Sequence, residues 1–493
     1  MLKFKRYLIT KLSAIYRCQP GRLWISFSLL ILLLVTLQVV EKLQPLGSCQ
    51  CELERGLQQT TGHELSSALH SPHLLWEDDS PQGQRKIEPA PTSTEDVSRM
   101  HLWTEAFQIQ EVTAGEAQQA RGVTSQGKTC KPKTDIVFLK VHKSASSTVM
   151  NILFRFGEMH NLTFAFPQGG GFQLYYPHHF LAKFVQGFSP LSPRQFNILC
   201  HHMRFLQPEV QKVVPSSAVY FSILRNPVQL MESSFVYYKG ASAFSRVRSL
   251  EEFLSQPWRY YDPARGDRHY ARNLMTFDFG FNPDGDVSPE RVQLMLKAIE
   301  ASFDFLLISE YFDESMVLLK EMLCWDLDSV VSFPLNSRDS STKSPLPDSV
   351  VEKLKAWNRL DWEIYTHFNR TFWERLDRLI GRERLRREVR ALRQRRAELA
   401  RACLQGTGSV GPKDIKDSSL RPLQHGGARI LGYNLKQGLP RELERTCRRL
   451  VTPELQYSSL LYKKQFPPPP PPPESPRPAA SPARPHRPEL TRN

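Results

Sequence analysis

The sequence predicts an α/β fold, a parallel sheet covered by helices on both faces, set behind an N-terminal transmembrane helix. Three observations carry this. Short apolar runs rich in β-branched residues alternate with stretches of helical period through the middle of the chain. Two of those runs, Ile136–Val141 and Val219–Leu224, each pass through a tight polar turn into a helical pattern. A Leu-rich, uncharged run follows a wholly basic N-terminus.

The basic N-terminus is residues 1–22, which carry Lys3, Lys5, Arg6, Lys11, Arg17 and Arg22 and no acid. Leu23–Val40 then gives 18 apolar or uncharged residues, enough to cross a bilayer as a helix. No A-x-A-like cleavage site follows, and Glu41-Lys42 closes the run. Positive charge stays on the cytoplasmic side, so the expectation is a signal-anchor with everything beyond it lumenal. Residues 41–133, rich in Gln, Ser, Thr, Gly and charge, read as a stem. A globular domain is expected over 134–466. A seven-proline run then opens an extended tail, 467–493.

The 493 residues carry a net charge of +15. That balance suits an acidic ligand or a nucleotide; without zinc-finger spacing or an RNA-binding aromatic signature it does not indicate nucleic acid. The eight cysteines form no C-x-x-C pair. Cys49 and Cys51 are too close for an easy internal bridge and suit a link between two chains, making a homodimer an expectation. Cys130, Cys200, Cys324, Cys403 and Cys447 are disulfide candidates in an oxidising compartment, with connectivity open. Asn161-Leu-Thr163 and Asn369-Arg-Thr371 are glycosylation sequons, consistent with a lumenal domain.

Within the domain, Asp135–Asn151 reads as strand, turn and helix. The helix is marked by Val149, Ile152, Leu153 and Phe156. Such a turn makes an anion cradle, because the first helical N–H groups are free and the helix dipole favours negative charge there. Lys143 adds a cation, and Ser146, Ser147 and Thr148 add hydroxyl donors. The glycines of a nucleoside-triphosphatase loop are missing. A Ser/Thr-rich helix start also serves simply to cap its own helix.

A second strand, Phe196–Leu199, runs into His201 and His202. A third, Val219–Leu224, ends at Arg225, with Asn226-Pro227 opening a helix that carries Ser233. Ligands of open α/β sheets gather at carboxyl ends of strands, where Arg225 suits bidentate phosphate recognition. Phe305–Ser309 reads as a strand and Tyr311–Leu323 as a helix. Asp284-Gly-Asp286 and Asp326-Leu-Asp328 spell D-x-D, the signal of a metal-dependent glycosyltransferase, though the first sits in a Pro/Gly turn. Gly169–Gly171 reads as a loop. Arg375–Arg401 carries eleven arginines with Leu385, Val389, Leu392 and Leu399 near heptad spacing, a long amphipathic helix with a basic face. That face is either solvated or set against anionic glycans or a second subunit.

The string FLKVHKSASSTVMNILFRF, with R-N-P…S at Arg225–Ser233 and H-M-R-F at His202–Phe205, resembles the galactose-3-O-sulfotransferase family. These are Golgi enzymes that use 3′-phosphoadenosine-5′-phosphosulfate (PAPS), and the resemblance spans residues 134–466. It implies a P-loop-like sulfotransferase domain that moves a sulfuryl group from PAPS to the 3-hydroxyl of terminal β-galactose on glycoproteins or glycolipids, with no metal required. It places Lys143, Ser144, Ala145, Ser146, Ser147 and Thr148 at the donor's 5′ end and Arg225 and Ser233 at its 3′-phosphate. It implies His202 as general base with Lys143 as catalytic cation, because related uronyl 2-O-sulfotransferases keep a histidine between the same motifs. His142, His178, His179 and His201 are the alternatives. Arg268–Asn273 and Thr276–Gly280 resemble acceptor-cleft segments. Two other functions remain open: a sugar-nucleotide glycosyltransferase, and an inactive lumenal glycan-binding protein.

Overall fold

The computed structural model describes residues 130–468 apart from positions 192, 344 and 407. The expected anchor at 23–40, the stem up to residue 129 and the proline-rich tail beyond residue 468 lie outside the described residues. Among those described, no helix is long and apolar enough to cross a membrane.

Four strands form one parallel sheet: β1 (Ile136–Leu139), β2 (Ile198–Leu199), β3 (Val219–Leu224) and β4 (Phe305–Ile308), in the order β2-β1-β3-β4. All four residues of β1 and of β4 are buried, as strands covered on both faces must be. The chain leaves β1 for β2 on one side and returns to β3 on the other. That reversal opens a crevice at the carboxyl end of β1.

The helices that matter for the site are α1 (Ser146–Met159), α2 (Pro227–Tyr237), α3 (Leu274–Asp278), α4 (Phe312–Leu323), α5 (Arg359–Leu379), α6 (Arg382–Cys403), α7 (Arg441–Val451) and α8 (Glu454–Gln465). α1 is buried along most of its length and is clasped by α7 and α8. Asn151 donates to the carbonyls of Arg449 (3.0 Å) and Thr452 (3.3 Å), and Glu158 accepts from Arg449 and Tyr457, each at 2.8 Å. This clasp brings the start of α8 against the turn between β1 and α1.

Two sequence expectations are corrected. The arginine-rich stretch is two helices, not one, because Gly381 (φ 76°, ψ 151°) breaks it in a conformation essentially confined to glycine. Its apolar stripe, Leu385, Val389, Leu392 and Leu399, is buried as the spacing implies. Much of its basic face is paired: Arg393 and Arg396 with Asp313, Arg395 with Asp328, Arg384 with Glu321. Cys200, a disulfide candidate, is a buried free thiol. Among the described residues the bridges are Cys130–Cys324 and Cys403–Cys447. The second ties the end of α6 to α7 and closes off the irregular segment between them.

Candidate active site

The ends of β1, β2 and β3 open into one cavity of about 810 Å³. The turn after β1 is wound tightly: Lys143 (φ 59°) and Ala145 (φ 65°) are both left-handed, positions where glycine is the easy residue. Ala145 is the N-cap of α1, and no side chain caps that helix. The serines and threonine therefore do not serve as caps. Nor are Ser144, Ser146 and Ser147 free hydroxyl donors, which corrects that expectation for Ser146 and Ser147. Ser144 and Ser146 donate to the Val141 carbonyl (2.9 and 2.7 Å), pinning the turn, and Ser147 donates to Glu454 (2.6 Å). Thr148 accepts from the Leu335 N–H at 3.0 Å. An anion in this turn would meet the helix dipole and Lys143.

The Lys143 ammonium lies 3.4 Å above the Tyr237 ring. Burial, then the charges of Arg225, Lys140 and Arg338, push its pKa down to about 7. Arg225 donates to the Lys143 carbonyl at 2.8 Å, so the end of β3 braces the turn after β1. Asn226 caps α2 by accepting from the Val228 N–H, and Ser233, one helical stretch later, lines the same cavity. The two motifs read from sequence thus share one chamber.

Two cations there were not read from sequence. Arg338 holds Glu232 at 2.6 and 2.8 Å through Nη2, while its Nε and Nη1 are buried without a hydrogen-bond partner. Lys343 lies beside it, its pKa lowered by burial and by the charges of Arg225 and Arg338. Both sit in a Ser/Pro-rich stretch without periodicity, so no local signal marked them. Their surplus positive charge and orphaned donors fit a second anionic group of a nucleotide.

Of the five candidate histidines, His142 and His202 line the cavity, stacked face to face at 3.7 Å. His201 is not there: it is buried, bonds Ser458 at 2.9 Å, and burial pushes its pKa down to about 3. His178 is exposed against Tyr175, and His179 bonds the Gly280 carbonyl.

The two stacked rings differ in what they can accept. His202 Nδ1 donates to the Lys140 carbonyl (2.9 Å), and its Nε2 takes the Lys140 ammonium at 2.7 Å. Its lone pair is engaged, and burial with the neighbouring His142 and Lys140 charges holds its pKa well below the usual value. His142 instead has Asp278 behind it: Nδ1 lies 2.9 and 3.1 Å from the carboxylate, which also accepts the His142 backbone N–H (2.8 Å) and the Tyr176 hydroxyl (2.9 Å). A carboxylate on Nδ1 fixes the tautomer that leaves Nε2 as proton acceptor. Asp278 lies in α3, inside the Thr276–Gly280 stretch read as cleft without chemistry. Tyr270, in the other such segment, lines the cavity itself, whereas Asp278 stands behind His142.

The D-x-D aspartates are committed elsewhere. Asp284 binds Arg268, Arg272 and the Tyr261 hydroxyl, Asp286 binds Ser288, Asp326 caps a short helix, and Asp328 pairs with Arg395. Among the described residues, no group of three or more His, Cys, Asp or Glu is placed to hold a metal ion. Asn161 is exposed in the turn after α1, and Asn369 is half-buried within α5.

Comparison with known proteins gives a consistent picture. The family described as galactose-3-O-sulfotransferase matches residues 100–465. Galactose-3-O-sulfotransferase 2 of Sus scrofa is 51% identical over 339 residues, covering 68% of this chain and 85% of that protein. The galactosylceramide sulfotransferase of Mus musculus is 44% identical over 335 residues, 67% of this chain and 78% of its own. Galactose-3-O-sulfotransferase 4 of Homo sapiens is 38% identical over 415 residues, with 69% and 85% covered.

Proposed function

The chain belongs to the galactose-3-O-sulfotransferase family, and on that premise we propose that it transfers a sulfuryl group from PAPS to the 3-hydroxyl of terminal β-galactose on a glycan. The observation that carries this is the convergence of the Lys143 turn, Arg225 and the His142–Asp278 pair on one cavity. PAPS supplies the activated sulfuryl group and leaves as adenosine 3′,5′-bisphosphate. Lys143 and the amides of the turn hold the 5′ end, while Arg225 and Ser233, with Arg338 and Lys343, hold the 3′-phosphate and so set orientation.

A sugar hydroxyl is a poor nucleophile until its proton is taken as it attacks. Nε2 of His142 accepts that proton, and Asp278 steadies the imidazolium that results. Lys143 lies where negative charge grows on the departing side and stabilises it. His202, its Nε2 held by Lys140, supports His142 from its other face rather than acting as base. Galactose enters past Tyr270 and the segment around Phe172, which border the cavity. The glycosyltransferase reading loses its support, because the D-x-D carboxylates are occupied by caps and ion pairs.

The enzyme is proposed to work in the Golgi lumen, anchored by residues 23–40. Two disulfides in the domain favour an oxidising compartment. The test is binding to immobilised adenosine 3′,5′-bisphosphate alongside sulfate transfer from PAPS to a β-galactoside. Both should occur. Arg225→Ala should weaken nucleotide binding about ten- to a hundredfold, since a hydrogen bond to a charged group contributes roughly 1.5–3 kcal/mol. Wild-type protein that binds no nucleotide and transfers no sulfate would overturn the proposal.

A further inference from the structure

A carboxylate stands beside the anion-binding turn, which is an odd place for negative charge. Glu454, the first residue of α8, accepts from Ser147 at 2.6 Å and from the Lys140 ammonium at 3.1 Å. Lys140 is itself buried, with 3% of its side chain exposed, and gives a second hydrogen bond to Nε2 of His202. Glu454, Lys140, His202, His142 and Asp278 therefore form one unbroken file of charged and titratable groups beneath the cavity. Burial works to raise the Glu454 carboxyl, yet Lys140 and Ser147 hold it below the ordinary range, so it stays ionised. An anion that repels the donor and survives burial needs a counterpart, and Lys140 is that counterpart.

We propose that Glu454 is a positioning residue for the transfer: it anchors the Lys140 ammonium on Nε2 of His202, which keeps His202 neutral and leaves His142 as the ring that takes the acceptor's proton. This rests on the proposed function. Two stacked imidazoles cannot both be imidazolium at 3.7 Å without strong repulsion, so whichever ring is blocked decides the base. The clasp of α7 and α8 on α1 sets the height of Glu454 against Ser147. Other titratable groups face this file, and the test leaves each of them in place. Asp278, Tyr176, Tyr238, Tyr270 and His201 border the imidazoles. Lys143, Tyr237 and Cys200 feel Glu454.

The sign of the effect separates positioning from mere structure. Glu454→Gln leaves the Lys140 charge uncompensated, which disfavours imidazolium. The acidic limb of the kcat profile against pH should move down by about half a unit or more. Lys140→Met removes the cation, and the same limb should move up by a similar amount, because no positive charge then stands against the stacked ring pair. Glu454→Asp keeps the charge and should return the limb toward that of wild type. Compared well below the Lys143 pKa of about 7, affinity of Glu454→Gln for adenosine 3′,5′-bisphosphate should stay within about threefold of wild type or tighten, while kcat falls roughly tenfold. Limbs that stay in place, or that move in the same direction in both variants, would overturn the assignment. If Glu454→Gln does not fold, Lys140→Met alone decides, since no upward shift refutes it. A wild-type enzyme without sulfate transfer would instead refute the function on which this rests.

Discussion

Lys143 is an ammonium held among three other cations, and a pKa of about 7 makes its charge conditional. Below that pH it is charged with or without a ligand. Above it, the free protein has lost the proton, and an anion placed beside Lys143 must draw one back. Affinity for adenosine 3′,5′-bisphosphate should therefore fall as pH rises from 7 to 9, by up to about tenfold per unit, with net proton uptake on binding. Calorimetry at several pH values in two buffers of different ionisation enthalpy measures both. Lys143→Met should bind more weakly and lose the slope; a slope that persists would place the titrating group elsewhere. At this scale the sequence was informative where a motif is contiguous and silent where it is not. Lys143, Arg225 and Ser233 could be named because each follows a readable strand. Asp278 lies 136 residues from the His142 it serves, and Arg338 and Glu454 sit in segments without pattern. The resemblance points to His202 as base, whereas the geometry supports His142 in our proposal, because only the folded chain brings Lys140 onto one ring and Asp278 onto the other.

Strands and helices were more legible than their ends. β1, β3 and β4 fall within the apolar runs that predict them, while β2 keeps only the last two residues of its run, Ile198 and Leu199. The arginine-rich stretch shows the limit of periodicity: its apolar stripe, Leu385 to Leu399, lies wholly within α6, and its spacing does not mark the break that Gly381 makes before it. Gly381 takes φ 76° with no atom within 4 Å of a would-be Cβ, so a substitution there meets backbone strain and no clash. Gly381→Ala should cost about 1–3 kcal/mol, a range typical of such backbone conformations. Arg390→Ala on α6 should change stability by no more than about 0.5 kcal/mol, as an exposed substitution does. Denaturation midpoints of the two variants check this. Equal, negligible losses would mean that the helix break does not depend on glycine.

At the scale of the whole molecule, the sheet order places three chemically distinct strand ends around one crevice: a turn carrying Lys143, an arginine and a histidine pair. Two disulfides and two sequons belong to the same domain, which accords with a lumenal setting. Glycosidase treatment of protein expressed in cells should increase its electrophoretic mobility. The domain beyond residue 134 should also resist protease in sealed vesicles until detergent is added; cleavage without detergent and an unchanged mobility would refute the proposed topology. The central claim is transfer to a galactose 3-hydroxyl with His142 as base, and the most direct measurement is where label from PAPS appears on a β-galactoside, for wild type, His142→Ala and His202→Ala. Wild type should place sulfate on O3 and leave a 3-deoxygalactoside unlabelled. His142→Ala should lose about 10²–10⁴-fold in kcat, the usual cost of removing a positioned base, while still binding adenosine 3′,5′-bisphosphate; His202→Ala should lose less. Sulfate on another hydroxyl, or near-normal turnover by folded His142→Ala, would contradict the account.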